Sequence, residues 1–311
     1  MDIQRLVIAS PSGNITAIVL DETPRDKLHE VGLTIQSSYP SVEQVLFVER
    51  GPDNTVHGQM AGGEFCGNAA RALGALLAEG KDGDYAFTMS GADEPVTARV
   101  FGDQATLITK MAVSRTTADF YGANVDVIHL EGITHAVMTP EHPLYTFFKE
   151  NAARPDRWQT IVHALEDLKI KEKPASGLIL AEGNGDALTI SPYVYVRANN
   201  TLYPEQACAS GSIAAAFAMS SAECLARGTL VAQPSGESLT VSVKSNGTKP
   251  EIQVAGKMAI VYDGPAYAME YSETALQGRH GEPEPSSVGA RNENASGPAH
   301  ARPQPEHRRF G

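Results

Sequence analysis

The sequence has few cysteines and no long apolar run. Its three cysteines are too few for a disulfide framework, and no CxxC or HxxxH pair offers the ligand spacing of a metal site. No stretch approaches the ~20 apolar residues that a membrane span needs, and no basic start followed by an apolar run indicates a secretory signal. We therefore expect a cytoplasmic protein with no metal and no membrane partner.

Positive charge is also scarce. The chain carries 25 Lys and Arg against 37 Asp and Glu, which gives a formal net charge of −12. Nucleic acids and anionic membranes bind basic surfaces, so this balance argues against both as partners. The 311 residues suffice for one large domain or two ordinary ones, at roughly 100–200 residues per domain.

Two similar halves follow one another along the chain. Each half has short apolar segments that predict strands, then a cysteine, then a helix rich in small residues, then more strands. This pattern predicts an α+β protein made by duplication. Strands are predicted at 6–9, 15–20, 44–49, 95–101, 104–112, 126–130, 134–138, 177–182, 187–197, 238–245, 250–254 and 257–269, and helices at 24–36, 69–80, 157–168 and 212–227.

A cysteine stands directly before the small-residue turn that opens a helix in each half. The first motif is GGEFCGNAAR at residues 62–71, and the second is EQACASGS at residues 205–212. The first N–H groups of a helix have no internal partner and carry the positive end of the helix dipole. We therefore expect Cys66 and Cys208 to be stabilised as thiolates, and the N–H groups beside them to bind a carboxylate.

Two such sites facing each other would perform a definite reaction. They would hold an amino acid by its α-carboxylate with one thiol on each face of the α-carbon, so that one thiolate removes the α-proton and the other thiol returns one. Cys224 lies in a helix without such a turn and is interpreted as a structural residue. The glycine-rich segment 62–67 lacks the Gly-Lys-Ser/Thr ending of a nucleotide-binding loop.

These motifs resemble those of the diaminopimelate epimerase and proline racemase superfamily, and in particular its histidine racemase branch from staphylopine-type metallophore synthesis. The similarity runs through most of residues 1–270. It includes Pro11-Ser12-Gly13-Asn14, Glu43-Gln44-Val45, Glu64-Phe65-Cys66-Gly67-Asn68-Ala69, Ser210-Gly211-Ser212, Gln233-Pro234 and Gly256-Lys257.

The resemblance implies two pseudo-symmetric domains, each a mixed β-sheet or barrel around a central helix, with the active site in the cleft between them. We expect an N-terminal domain at 1–113, completed by 258–270, and a C-terminal domain at 114–257. Residues 271–311 are rich in proline, glycine and serine and predict a disordered tail. The superfamily works without pyridoxal phosphate, which implies a small-molecule amino-acid substrate and no cofactor. Whether the chain forms a homodimer stays open.

Site residues follow from the same resemblance. Cys66 and Cys208 match the acid–base pair, and Glu43 matches a glutamate of the histidine racemase active site. His135 stands where the superfamily has an Asn-Pro-His-like turn, a position that implies an orienting role. The residues assigned to substrate binding, mainly through the turns that hold the α-carboxylate, are Asn14, Glu43, Gly67, Asn68, His135, Ser210, Gly211 and Ser212.

Departures from the superfamily pattern reduce the number of candidate substrates. Residues 197–200 lack the Glu-Arg pair of diaminopimelate epimerase, and residues 209–211 read Ala-Ser-Gly in place of Gly-Thr-Gly, which argues against diaminopimelate. The two cysteines argue against the isomerase branch related to phenazine biosynthesis. The alternatives are a racemase or epimerase for diaminopimelate, hydroxyproline or a basic or polar amino acid. A thiol redox or hydrolase protein that pairs Cys208 with His135, and a non-catalytic amino-acid-binding module, also stay open.

Overall fold

The computed structural model describes residues 3–152, 154, 156, 158–244 and 247–266. Within these residues, sixteen strands form one connected mixed sheet and six α-helices pack against it. None of the described helices is long and apolar enough to cross a membrane. The predicted tail at 271–311, and the end of the predicted strand at 257–269, lie outside the described residues.

The strands of the first half form a closed barrel together with the last strand of the chain. The last strand, β16, pairs with both β7 and β1 and so closes a ring of eight strands. The parallel pairs β2–β3 and β4–β5 require crossover connections, which are the helices α1 (Leu28–Ser38) and α2 (Gly67–Ala78). The barrel strands are β1 (Leu6–Pro11), β2 (Thr16–Val19), β3 (Gln44–Arg50), β4 (Val56–Met60), β5 (Gly83–Met89), β6 (Val96–Phe101), β7 (Gln104–Lys110) and β16 (Glu251–Gly264).

The second half repeats this sequence of pairings. Starting from β9, the pairs are antiparallel, parallel, antiparallel, parallel and twice antiparallel, as they are from β1 onwards. Its crossovers contain α3 (Tyr145–Ala152) and α4 (Trp158–Asp167), then α5 (Ala209–Met219) and α6 (Ala222–Arg227). Its strands are β8 (Ser114–Phe120), β9 (Ala123–Leu130), β10 (Ile133–Met138), β11 (Ala175–Asn184), β12 (Ala187–Val196), β13 (Thr201–Pro204), β14 (Thr229–Ala232) and β15 (Ser238–Val243). The predicted α+β fold with two pseudo-symmetric halves is confirmed.

Small residues let α2 and α5 lie at the centres of the two halves. In α2, a methyl group added at Gly74 would lie 2.0 Å from the Cβ of Ala98 on β6, so only glycine permits this helix-to-strand distance. In α5, every residue from 209 to 216 is buried. Side chains of both helices belong to one continuous hydrophobic core that spans the two halves. The alanine-rich composition therefore reflects burial on all sides.

Some element boundaries differ from prediction. The helix predicted at 212–227 is two helices, because Ser221 caps the start of α6 through its Oγ. The strands predicted at 250–254 and 257–269 are one strand, β16, whose first part pairs with β7 and β15 and whose later part pairs with β1. The elements β4, β5, β8, β13, β14 and α3 were not predicted, since they are short or largely exposed. The domain limits at 113/114 and 257/258 stay a prediction.

Candidate active site

The two helix starts are built alike. Cys66 caps α2 with φ −125° and ψ 112°, and Cys208 caps α5 with φ −132° and ψ 108°. Each sulfur accepts a hydrogen bond from the backbone N–H three residues later, from Ala69 at 3.3 Å and from Gly211 at 3.1 Å. The N–H groups of the first helical turn have no carbonyl partner within the helix and point toward the cysteine side of each helix start.

The two helix starts also touch each other. A methyl group added at Gly67, the first residue of α2, would lie 2.9 Å from the Cβ of Ala209, the first residue of α5. It would also lie 3.1 Å from the Leu107 side chain. Glycine is therefore needed at one of the two facing positions, while the other holds an alanine. The close approach brings the positive ends of both helices to the same place.

A cleft opens at this junction, and both cysteines lie in its wall. Three glutamates also line it: Glu43, Glu64 and Glu205. Among the described residues of the wall, none is a lysine, arginine or histidine. The cleft is therefore acidic apart from the two helix starts, which offer N–H donors.

On the first side of the cleft, the Cys66 thiol donates a hydrogen bond to Gln44 Oε1. The Nε2 of the same Gln44 donates to Glu205 Oε1 at 2.7 Å. One amide group thus connects the thiol of the first half to a carboxyl group of the second. The adjacency of Gln44 to Glu43 was the sequence signal that could have identified it.

On the second side, Cys208 has more polar neighbours. Its sulfur lies 3.5 Å from Ser210 Oγ, and the nearby Glu205 carboxyl group raises the pKa of its thiol. Its backbone N–H donates to Gln233 Oε1 at 2.9 Å. Ser212 Oγ donates to the Cys208 carbonyl oxygen at 2.6 Å and accepts from Gln233 Nε2 at 3.0 Å. Ser212 and Gln233 therefore hold the backbone of the motif.

His135 lies behind the wall of the cleft. Its Nε2 is 2.9 Å from Ser210 Oγ, and it is fully buried. Burial lowers the pKa of His135 to about 3, so the imidazole is neutral. Among the hydrogen bonds of the described residues, it reaches Cys208 only through the Ser210 hydroxyl.

The segment 205–207, which leads into Cys208, is held by the first half. The Ala207 carbonyl accepts from Asn14 Nδ2 at 3.2 Å and from Asn68 Nδ2 at 2.8 Å. The Gln206 N–H donates to Glu43 Oε2 at 2.9 Å, and Asn14 Nδ2 donates to the same oxygen at 2.9 Å. These bonds set the position of Cys208 relative to the first half.

The predicted site residues fall into two groups. Those in the cleft wall are Glu43, Cys66, Gly67, Asn68, Cys208 and Ser210. Asn14, His135, Gly211 and Ser212 lie outside the described cleft wall, and their assignment to substrate binding stays a prediction. Both polar groups of the Asn14 amide are already used, because Thr16 donates to its Oδ1. Gln44, Glu64 and Glu205 were not predicted, although Glu205 lies three residues before Cys208.

Burial opposes the predicted stabilisation of the two thiolates by the helix N–H groups. Burial, followed by the neighbouring Glu205 charge, raises the pKa of the Cys66 and Cys208 thiols. The backbone N–H groups lower the pKa of both, as predicted, but their effect is the smaller one. Folding removes water from both thiols, and the sequence around a helix end does not reveal this desolvation.

The described residues hold no group of three or more His, Cys, Asp or Glu side chains that could bind a metal ion. Sequence relatives point to amino-acid chemistry. A curated histidine racemase from Fusobacterium nucleatum subsp. nucleatum is 28% identical over 275 residues, which cover 83% of this chain and 94% of that protein.

Solved structures share the fold. A predicted epimerase from Pseudomonas aeruginosa has a TM-score of 0.59 at 14% identity, covering 84% of this chain and 98% of that one. A hydroxyproline epimerase from Agrobacterium vitis, with bound trans-4-hydroxy-L-proline, has a TM-score of 0.55 at 12% identity, covering 85% and 90%. The family described as histidine racemase CntK N-terminal domain matches residues 5–267. The chain therefore belongs to this family and is an isomerase of the racemase and epimerase class.

Proposed function

We propose that this enzyme racemises histidine, with Cys66 and Cys208 acting on opposite faces of the α-carbon. The observation that carries the proposal is the matched pair of cysteine caps on two helix starts that meet at one cleft. The match to histidine racemases supports the substrate. We further propose that the enzyme acts in the cytoplasm on the free amino acid and needs no cofactor, since both proton carriers are side chains of the chain itself.

The helix starts suit the α-carboxylate of the substrate. The first N–H groups of α2, at Gly67 and Asn68, and those of α5, at Ala209 and Ser210, have no intrahelical partner. Two converging helix N-termini bind an anion and stabilise the negative charge that develops when the α-proton leaves. His135 and Asn14 would act indirectly, His135 through Ser210 and Asn14 through Glu43 and Ala207.

The three carboxyl groups of the cleft suit the rest of the substrate. Glu43, Glu64 and Glu205 can accept hydrogen bonds from an α-ammonium group and from an imidazole N–H. They would repel an acidic side chain, because no cation in the described wall offsets them. A polar, hydrogen-bond-donating side chain of histidine size fits these charges better than the second carboxylate of diaminopimelate.

The reaction needs one thiolate and one thiol. The thiolate removes the α-proton on its side, and the opposite thiol gives a proton to the other face, which inverts the configuration. The cysteines exchange roles for the other enantiomer. The buried cleft keeps water from quenching the carbanion and strengthens the hydrogen bonds that stabilise it.

An exchange screen in D2O tests the proposal. Each of the twenty amino acids, diaminopimelate and hydroxyproline is incubated with the enzyme, and α-deuterium and enantiomer ratio are measured. We expect exchange and racemisation with histidine well above every other compound. If only another amino acid exchanges its α-proton, that amino acid is the substrate and the assignment of histidine is wrong. If histidine binds but does not exchange its α-proton, the protein is an amino-acid-binding module and not a racemase.

A further inference from the structure

Arg71 is the last residue of the first cysteine motif, and none of the roles predicted from the sequence involves it. It lies in α2, five residues after Cys66, and its side chain is fully buried. Burial lowers the pKa of its guanidinium to about 10, so the group keeps its charge at neutral pH. A buried charge is costly unless its donors find acceptors, so the acceptors indicate what this residue does.

The guanidinium donates four hydrogen bonds within the first half of the chain. Its Nε donates to the Ala105 carbonyl on β7 at 2.9 Å, and its Nη2 donates to the Lys257 carbonyl on β16 at 2.8 Å. The same Nη2 donates to Ser12 Oγ at 3.3 Å, and Nη1 donates to Asn68 Oδ1 at 3.2 Å. These four acceptors are all neutral groups.

The fold does not require an arginine at this place in the helix. The equivalent residue of the second half, five positions after Cys208, is Ile213, which is also buried. An apolar residue therefore fills the same position in the duplicated helix. Buried charged groups can often be replaced by apolar residues of similar volume without loss of stability. The packing of α2 alone thus does not explain Arg71, and its hydrogen bonds have to be followed further.

One of these bonds continues to the residue before Cys208. Asn68 accepts from Arg71 through Oδ1, which fixes the orientation of the Asn68 amide and turns its Nδ2 toward the second half. That Nδ2 donates to the Ala207 carbonyl at 2.8 Å. Two hydrogen bonds thus connect the guanidinium to the residue that precedes Cys208.

A second bond continues to the other side of the same segment. The guanidinium Nη2 holds Ser12 Oγ, and the Ser12 carbonyl accepts from Ser235 Oγ of the second half at 2.7 Å. The Ser235 N–H donates in turn to the Gln206 carbonyl at 2.9 Å. Glycine makes room for this route, since a methyl group added at Gly256 would lie 2.6 Å from Ser12 Oγ and 3.0 Å from Nη2. The guanidinium therefore stands at the start of two polar chains, one to Ala207 and one to Gln206.

We propose that Arg71 is a positioning residue that holds Cys208 in register with Cys66 across the junction of the two halves. The inference rests on the proposed function, in which the two sulfurs act on opposite faces of one α-carbon. Such a reaction requires aligned groups, and a misplacement of about 1 Å can cost a factor of about 100 in rate. A residue in the helix of one cysteine that fixes the segment before the other meets this requirement.

Hydrogen exchange of the ligand-free enzyme tests the two polar chains without turnover. Mass spectrometry with electron-transfer fragmentation resolves the N–H groups of Gln206 and Cys208, both of which are hydrogen-bonded. Arg71→Lys keeps the charge but replaces the planar fork by a single nitrogen, which cannot hold both chains. We expect both N–H groups to exchange about 10-fold faster in this variant. Ser235→Ala breaks only the second chain and should give a smaller increase, of about threefold.

The N–H groups of β11 are the internal reference for this measurement. They lie in the core of the second half and report on the stability of that half as a whole. We expect their exchange in Arg71→Lys to change less than that of Gln206 and Cys208. A rise of the same size at β11 would mean that the variant loosens the protein in general.

Kinetics test the effect on catalysis. Arg71→Lys should lower kcat about 30-fold, and Arg71→Met about 100-fold, in both directions of racemisation. KM should change by less than about threefold, because the backbone N–H groups of the helix starts remain in place. Leu73→Ala is the matched control, since Leu73 is a fully buried residue of the same helix and its truncation destabilises the protein through apolar packing. It should keep kcat within about threefold of the wild type.

Four results would overturn the proposal. They are unchanged exchange of Gln206 and Cys208 in Arg71→Lys, an equal rise at β11, a wild-type kcat in both Arg71 variants, and an equal loss of kcat in Leu73→Ala. The second and the last would make Arg71 a contributor to stability alone. If Arg71→Met does not fold, Arg71→Lys and Ser235→Ala still decide the question. If the wild type racemises no amino acid, the proposed function fails, while the exchange measurement still tests Arg71.

Discussion

The starts of α2 and α5 place a cysteine in nearly the same backbone conformation but surround it with different side chains. Cys66 donates to the side-chain amide oxygen of Gln44, whereas the Cys208 sulfur lies beside the Ser210 hydroxyl and is influenced by the Glu205 charge. Duplication therefore preserved the cap and its N–H groups, which are properties of the backbone. The neighbouring side chains diverged, so the two thiols have different hydrogen-bond partners.

The second turn of each helix differs as well. Arg71 is fully buried in α2 and donates to two backbone carbonyls, Ala105 and Lys257, and to the side chains of Asn68 and Ser12. Burial lowers its pKa to about 10, so it stays charged at neutral pH. In α5, the residue five positions after the cysteine is an isoleucine. The first helix is thus tied to its barrel by polar bonds, and the second by apolar packing.

Serine variants of the two active-site cysteines test whether both helix starts are needed, and we expect the largest effect here. Cys66→Ser and Cys208→Ser should each reduce racemisation at least about 1,000-fold, because a serine hydroxyl is a far weaker proton donor and acceptor at both positions. Coupled assays of both enantiomers measure this loss. Cys224→Ser, on α6 outside the cleft, is the control and should keep full activity. If either active-site variant keeps full racemase activity, a single cysteine at one helix start is sufficient for the reaction.

The pH dependence of stability tests the carboxyl group between the two starts. Burial raises the pKa of Glu205 from its ordinary 4.5 to about 7, so its contribution to stability is present below about pH 4.5 and is lost as pH rises through about 7. Glu205→Gln should therefore gain up to about 3 kcal/mol over the wild type at pH 8, and little at pH 5. Urea unfolding at both pH values measures the difference. The Glu205 charge also raises the pKa of Glu43, so the measured difference contains this coupling as well as the titration of Glu205. A difference that is equal at both pH values would contradict the assignment.

Exchanging the facing residues tests how closely the two starts approach. Gly67→Ala should destabilise the protein by about 1–3 kcal/mol, because its methyl group would meet Ala209. The double variant Gly67→Ala with Ala209→Gly moves the methyl group to the other helix and should recover most of that loss. Urea unfolding of the four proteins gives the coupling free energy between the two positions. Strictly additive single effects would show that the helix starts do not touch.

The sequence allowed much of the fold to be predicted, for a physical reason. Strands and buried helices depend on the spacing of apolar and small residues, which can be read locally, and the two cysteine motifs lie within single short segments. Elements such as β8 were missed because most of their side chains are exposed and show no alternation. The prediction of a single helix across Ser221 was wrong, because the sequence does not distinguish a serine that caps a helix from a serine inside one.

The site was predicted less completely than the fold. Gln44 and Glu205 are 161 residues apart, and no local pattern indicates that their side chains meet. The local sequence pattern correctly predicted that both cysteines lie at helix N-termini. It could not include the burial that raises the pKa of their thiols, because desolvation depends on everything that surrounds a group. The sequence alone was enough to predict the duplicated fold and the two cysteine caps, since both follow from short-range patterns. Which groups hold protons in the cleft depends on tertiary structure, because only folding brings distant charges together and removes water from them.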